Sequence, residues 1–500
     1  MAQATSRALG LRRLLSPTSL TSRRPNLAIE MRSARVAGIR TARALAAQRG
    51  AAAAAYCPVP PSLPPLFCRT KSTLAQERTS DFVPPPLMFE TKLEAAPEQP
   101  MVKEEAGEVF SLFSPTPEHQ ALREMIRAFT EAEVEPQANE FNRKEAMNVP
   151  LFRKLGELGL LGVTVPEEYG GSGMDATAAV IVHEELAASD PAFCLAYLAH
   201  SMLFVNNLTQ NGNDAQKRRW LPSAVDGSLI CGMCMSEPSV GTDVLGMKTT
   251  AVRRGDDWVI NGAKMWITNG TIDGKSTGDC YLVYAKTGPK KSDVSLFLVE
   301  KGTPGFSLGQ KIQEKCGMRA SMTAELVFQD CTVPSSCLVG KENGAAICMM
   351  RNLEIERVTL AAMSLGIARR SVEEMNRYAK ERQAFGSNLN SFGQIQRFIA
   401  ESYAEYMAGR SYVYNTSNNL DLNSVGNGLD GDGVKLYCGV MAKNVADRAM
   451  QVMGGYGYVG EYNVERLWRD SKLLEIGGGT NEAHHKNMVR DLSRNVDKLP

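Results

Sequence analysis

From about residue 114 to residue 225, apolar positions recur every three or four residues. Ala121, Met125, Ile126, Phe129 and Val134 fall on one helical face, and Leu151, Leu155, Leu158 and Leu160 on another. Tyr169-Gly170-Gly171-Ser172-Gly173 interrupts them as a loop, and Ala176 to Ala188 and Ala192 to Leu208 continue as helices. Between about 228 and 340 the period drops to two. Thr249 to Val252, Trp258 to Ile260, Tyr281 to Tyr284, Ser295 to Val299 and Glu325 to Phe328 read as strands, separated by turns containing Gly, Asp and Lys. The helical period returns from about 342, in Ala345 to Lys380, Gln394 to Asn418 and Val434 to Met453. Asn418 to Gly433, dense in Asn, Asp and Gly, reads as a connection.

Helices, then strands, then helices, with no βαβ alternation, predict an α+β chain rather than a doubly wound sheet. The divisions fall at 111–227 (N-terminal helical domain), 228–341 (a middle β domain, small barrel or sandwich) and 342–500 (C-terminal helical domain). Two phosphate-loop patterns fail on context. Gly455-Tyr-Gly457-Tyr-Val-Gly460 follows a helix rather than a strand, and Asn269 to Ser276 begins with Asn where a phosphate loop needs Gly.

Charge is unevenly spread. The 500 residues carry 56 basic and 55 acidic side chains, but residues 1–55 hold ten Arg, no Lys and one acid, Glu30. That Arg-, Ala- and Ser-rich leader has the composition of a mitochondrial transit peptide. Residues 56–110, rich in Pro and Ala, read as a linker or as more of the leader. Without 1–55 the balance is 46 basic against 54 acidic, which argues against nucleic acid as the main partner. No spanning helix is expected, because no run of about 18 apolar residues stands out. With a matrix address the eleven cysteines should be reduced. Cys231-Gly-Met-Cys234 is a lone CxxC and His484-His485 are adjacent, so no metal site is expected.

Several segments become specific when taken in order. They are Met233 to Asp243, Lys264-Met265-Trp266-Ile267-Thr268-Asn269-Gly270, Arg382-Gln-Ala-Phe385-Gly386, Gln451-Val-Met-Gly454-Gly455, Arg469-Asp470 and Gly478-Gly479-Thr480. Together they resemble the signature segments of the acyl-CoA dehydrogenases, over roughly residues 110–495. The resemblance implies a small middle β-barrel, a C-terminal four-helix bundle and FAD held between them. It places Met233, Met235, Ser236, Thr242, Trp266, Ile267, Thr268, Arg382, Gln394, Gln451, Gly454, Gly455, Thr480, Asn481 and Glu482 at the cofactor. Thr242, Lys291, Ser292, Glu354, Arg357, Gly478 and Gly479 would meet the acyl-CoA. Electron-transfer flavoprotein is the implied acceptor. A homotetramer is the implied assembly, with Arg382 reaching a neighbour's cofactor. At Gly393 relatives often carry a flavin-contacting Gln; here Gln394 follows it.

The chemistry implied is α,β-desaturation of a thioester, in which a carboxylate takes the α-proton and the β-hydrogen leaves as hydride. Many relatives carry that carboxylate where this chain has Gly478. Ile355-Glu356-Arg357 resembles the alternative context, in which a helix supplies it, so Glu356 is the expected base, with Glu475 and Glu482 as rivals. Glu354 lies about 200° round the helix from Glu356 and cannot share its face. Glu475 to Thr480 is similar to the branch of the family that acts on isovaleryl-CoA, and a missing side chain at 478 would leave room for a methyl branch. A long-chain dehydrogenase, an oxidase and a non-catalytic homologue acting as a binding partner are the alternatives.

Overall fold

The computed structural model describes residues 111–426 and 428–494. The expected transit peptide (1–55) and linker (56–110) lie outside the described residues.

Helix α1 (Pro117–Phe129) starts where Thr116 accepts a hydrogen bond from the His119 N–H and Pro117 fills a position needing no donor. It passes through a wider turn, Thr130–Val134, into α2 (Glu135–Lys144), and α3 (Val149–Glu157) follows. Every residue of α4 (Ala176–Ser189) is buried, so it shows no polar face. Asp190 caps α5 (Pro191–His200), which runs on through Asn206 into α6 (Asn207–Asn211). The run Pro191–Asn211 is apolar and long enough to cross a bilayer, but most of it is buried inside the fold. A reciprocal Asn213/Gln216 cap opens α7 (Asp214–Val225).

The strands of the middle segment are hydrogen-bonded into one eight-stranded sheet that curls on itself, with Tyr281 of the fourth strand 5.6 Å from Phe306 of the sixth. Its strands are β1 (Cys231–Cys234), β2 (Thr250–Arg254), β3 (Asp257–Thr268), β4 (Cys280–Lys286), β5 (Val294–Glu300), β6 (Phe306–Lys311), β7 (Thr323–Pro334) and β8 (Leu338–Val339). The order is β6-β7-β3-β2-β4-β5-β8, with β1 parallel to β4. β1, β6 and β8 escaped the sequence pattern. β1 and β8 are too short to show a period, and β6 is largely exposed.

The C-terminal part is built on α8 (Ala345–Glu381), 37 residues long. A hairpin of β9 (Gln383–Ala384) and β10 (Ser387–Asn388) leads to α9 (Gly393–Asn418), α10 (Gly428–Met453), α11 (Val464–Ser471) and α12 (Asn481–Arg494). α8 packs on α4 and α10, so the N- and C-terminal helices share one apolar core, and the sheet has a second with α7. α10 begins before the expected Val434, in spite of Gly428, Gly431 and Gly433. Tertiary contact overrides their poor propensity, because Gly431 lies against the Glu354 carbonyl and the buried Asp432 is held by Arg357 and His484.

A buried ionic cluster ties α1, α4, α8 and α9 together. Arg123 Nη1 donates to Glu184 at 2.9 Å and to Glu185 at 2.7 Å. Arg127 and Arg369 also bind Glu185, Arg410 binds Glu184, and the Tyr406 and Tyr414 hydroxyls donate to Glu184.

Candidate active site

On the sheet side, a buried pair sets the loop after β1. Lys264 Nζ on β3 lies 2.9 Å from Glu237 Oε1 and donates to the Met235 carbonyl at 3.1 Å. Glu237 in turn accepts the Lys248 and Thr249 N–H groups. The Met265 N–H donates to the Ser236 carbonyl at 2.9 Å, which stitches the two sequence signatures together. Between Lys264 and Ile267 the β3–β7 register slips, and there Trp266 takes φ +65°. A left-handed tryptophan is a strained outlier of the kind that persists where surrounding structure enforces it. The residue is 62% exposed, a flat apolar face that the other described residues leave mostly uncovered. Ile267 beside it is buried and Thr268 is half-buried.

On the helical side, Glu356 sits in the second turn of a buried stretch of α8. Burial pushes its carboxyl up to about 7, and the Arg357 and Lys435 charges only partly oppose that. Its Oε2 is buried and finds no hydrogen-bond partner among the described residues. Its Oε1 lies 3.5 Å from where a Cβ on Gly478 would stand, so the carboxylate faces the glycine from across the loop. Gly478 (φ +66°) and Gly479 (φ +100°) turn that loop through two consecutive left-handed residues. A Cβ at 478 would overlap Leu360 Cδ1, one turn after Glu356. The expected room for a methyl branch beside Gly478 is therefore already occupied by Leu360.

Behind the loop, Lys435 Nζ donates to the Gly479 carbonyl at 2.7 Å and His484 Nε2 stands 3.0 Å from the same oxygen. His484 Nδ1 pairs with Asp432, whose Oδ1 is 3.3 Å from Arg357 Nη1. Both ring nitrogens of His484 thus have protein partners. Sequence reasoning missed Lys435, Asp432, His484 and Leu360. The one signal was a lysine inside the apolar run Val434-Lys435-Leu436.

The other expected residues divide into separate groups. Arg382, Gly454 and Gly455 come together in a cleft of about 530 Å³ with Tyr378, Tyr456 and Glu461, where the Arg382 guanidinium lies 5.9 Å from the Tyr456 ring. Among the described residues nothing lies within 4 Å of a Cβ added at either glycine. Gln394 and Gln451 are exposed, as is Gly393. Met235 is buried, Met233 and Ser236 half-buried, and Thr242 exposed; next to Thr242, Asp243 pairs with Lys291 at 2.8 Å, beside the exposed Ser292. Glu354 points to the connection before α10, accepting the Gly426 N–H at 3.1 Å, on a different face from Glu356. Thr480 caps α12 by accepting the Ala483 N–H, and Asn481 Oδ1 is buried with no hydrogen-bond partner among the described residues. The rival carboxylates lie elsewhere, with Glu475 paired to Lys472 and Glu482 exposed.

Three family models match in order: Acyl-CoA dehydrogenase, N-terminal domain (residues 116–228), middle domain (232–331) and C-terminal domain (342–493). The chain is 40% identical over 371 residues to "Isovaleryl-CoA dehydrogenase, mitochondrial" of Pongo abelii, covering 73% of this chain and 86% of that protein. It is 37% identical over 375 residues to the protein of the same name from Arabidopsis thaliana, covering 74% and 90%. A solved structure of a glutaryl-CoA dehydrogenase from Mycobacterium smegmatis in complex with FADH2 is similar at TM-score 0.71 and 27% identity, covering 76% of this chain and 95% of that one. The chain belongs to the acyl-CoA dehydrogenase family, a family of flavin-dependent oxidoreductases that act on acyl-CoA thioesters and pass electrons to flavoproteins. It is an enzyme of that type, with helical, β and helical parts in the family's order.

Proposed function

We propose that this enzyme oxidises a short branched acyl-CoA, converting isovaleryl-CoA to 3-methylcrotonyl-CoA in leucine breakdown, with Glu356 as the α-proton base. The observation that carries the reading is Glu356 itself, a buried carboxylate whose Oε2 has no hydrogen-bond partner among the described residues, raised to about 7 and directed at Gly478. A base poised near working pH combines sufficient ionisation with sufficient basicity. The isovaleryl names of the relatives at 40% and 37% identity support the acyl group.

The residues present fit FAD. The strained, exposed Trp266 offers a face for the flavin ring, and Met233, Met235, Ser236, Ile267, Thr268 and Thr242 are the other residues proposed to meet it from the sheet side. The open glycines 454 and 455 beside Arg382 fit a phosphate-bearing group, which a guanidinium fork matches. Gln394, Gln451, Thr480, Asn481 and Glu482 complete the proposed set. FAD, when bound, accepts the β-hydrogen with its electron pair. The protein's part is to deliver the α-proton to Glu356 and to stabilise the enolate oxygen with backbone N–H groups of the 477–480 loop. Arg357, Gly479, Lys291, Ser292 and Glu354 remain proposed contacts for the acyl-CoA. A homotetramer in the mitochondrial matrix, passing electrons to electron-transfer flavoprotein, completes the reading.

Turnover with isovaleryl-, butyryl- and palmitoyl-CoA tests the substrate, and isovaleryl-CoA is expected to give the highest kcat/KM. The competing reading, a straight-chain or long-chain enzyme, draws on Leu360, which fills the space beside Gly478. A preference for butyryl- or palmitoyl-CoA would establish it instead. Unaltered turnover in Glu356→Gln would remove the base assignment.

A further inference from the structure

The Gly479 carbonyl is held by two side chains that the reaction itself does not need. Lys435 on α10 reaches it at 2.7 Å and His484 on α12 at 3.0 Å. A carbonyl oxygen has two lone pairs, and here both are taken. Because that oxygen can only accept, Nε2 of His484 must carry a hydrogen. Its Nδ1 faces an Asp432 carboxylate oxygen within hydrogen-bond reach. Asp432 and Lys435 lie three residues apart on one face of α10, and Arg357, next to Glu356 on α8, joins Asp432 at 3.3 Å. The His484 ring also lies under Gly479, with Cε1 3.0 Å from where a Cβ would stand. All three side chains are buried: Asp432 and Lys435 are 1% exposed and His484 is 0% exposed. A buried histidine, aspartate and lysine spent on one backbone carbonyl cost desolvation that an apolar core would avoid. Neighbouring Gly477, Gly478 and Gly479 make this loop intrinsically loose, and a side-chain grip is what could fix it.

We infer that His484, oriented by Asp432, and Lys435 are positioning residues that clamp the Gly479 carbonyl and so hold the Gly478 turn in register with the Glu356 carboxylate. The inference rests on the reading of Glu356 as the base. The clamp fixes the direction of the loop's peptide planes, and with it the N–H groups that must meet the thioester oxygen while Glu356 meets the α-carbon. Small displacements of such groups lower rates without weakening ground-state binding.

Two substitutions at one position separate the clamp from mere packing. His484→Gln keeps a donor at the place of Nε2, toward Gly479. His484→Asn keeps a polar group at the place of Nδ1, toward Asp432, and loses the Gly479 contact. The flavin-loaded proteins are compared by hydrogen–deuterium exchange of the 476–482 amides without substrate, and by kcat, KM and the α-deuterium isotope effect on flavin reduction by isovaleryl-CoA. For His484→Asn we expect faster loop exchange, kcat lower by about tenfold or more, KM changed by less than about threefold and a larger isotope effect. His484→Gln should keep at least about half the parent kcat and the parent exchange pattern. Lys435→Met, which keeps the stem and removes the other donor, should shift exchange and isotope effect in the same direction and serves if His484→Asn does not fold. Parent-like exchange and kcat in His484→Asn, or equal losses in the Gln and Asn variants, would overturn the clamp. Glu356→Gln runs alongside. If it stays active, the base reading falls while the exchange data still judge the clamp; if it is dead and the Asn variant is normal, only the clamp falls.

Discussion

Two buried glutamates in this fold have been treated in opposite ways. Glu184, on α4, and Glu356, on α8, are both enclosed in the helical core. Burial alone would raise both carboxyls. Around Glu184, the guanidiniums of Arg410, Arg123 and Arg369 and the Tyr414 hydroxyl outweigh that penalty and hold the group well below the usual carboxylate range. Around Glu356 the opposing charges of Arg357 and Lys435 are weaker than the penalty, and the carboxyl rises to about 7. The same side chain at similar depth is an ionic staple in one place and a carboxyl raised to near neutral in the other. Partners decide which, because in low dielectric an ion is either fully paired or reluctant to form.

The comparison can be broken most sharply by removing each carboxylate. Glu356→Gln should lower kcat by about 10³-fold or more, in line with loss of general-base catalysis, as steady-state assay with an artificial electron acceptor would register. Glu184→Ala should do the reverse. It leaves Arg410 without its carboxylate and Arg123 with only Glu185, and should cost about 3–5 kcal/mol of stability by denaturant unfolding, with turnover per folded molecule near the parent value. A large kcat loss in the second, or none in the first, would erase the distinction. Gly478→Ala comes next, costing about 2–4 kcal/mol from its left-handed φ and the overlap with Leu360. Thermal unfolding of Gly478→Ala with and without Leu360→Ala would show part of that cost relieved in the double variant.

The smallest effect is in pH, and its sign differs between the two sites. Glu356 has a raised folded value. The stability it contributes is complete below its ordinary value near 4.5 and is lost as pH rises through about 7. Glu356→Gln should therefore be more stable than the parent at pH 8, by up to about 3 kcal/mol, and indistinguishable from it near pH 4. Catalysis runs the other way, so kcat/KM should rise with pH through about 7. Glu184 is depressed, so its contribution is present above the ordinary glutamate value and fades only in strong acid. Acid unfolding curves of the parent and Glu184→Gln should converge only as pH falls toward about 2.

Much of this was written in local pattern. The order helices, strands, helices, the long α8 and the adjacency of Glu356 to Arg357 followed from periodicity and motif. The glycines at 454, 478 and 479 were also legible, because left-handed backbone restricts the residue type. Less legible were the short strands β1 and β8, which offer too few residues for a period, and the glycine-rich start of α10, where contacts from α8 and α12 supply what propensity withholds. Arg357 and Glu354 looked equally eligible for the substrate in one dimension. Folded, Arg357 turns to Asp432 and Glu354 to the Gly426 amide.

By itself the sequence determined the helix–sheet–helix architecture, the family and the absence of a carboxylate at 478, because these depend on residue type and spacing along the chain. Only the tertiary structure decided that Glu356 faces Gly478, that Leu360 fills the space beside it, and that Asp432, His484 and Lys435 converge on one carbonyl. Those facts join α8, α10, α12 and the loop before α12, segments up to about 130 residues apart in sequence, and burial and pairing arise only when such segments meet.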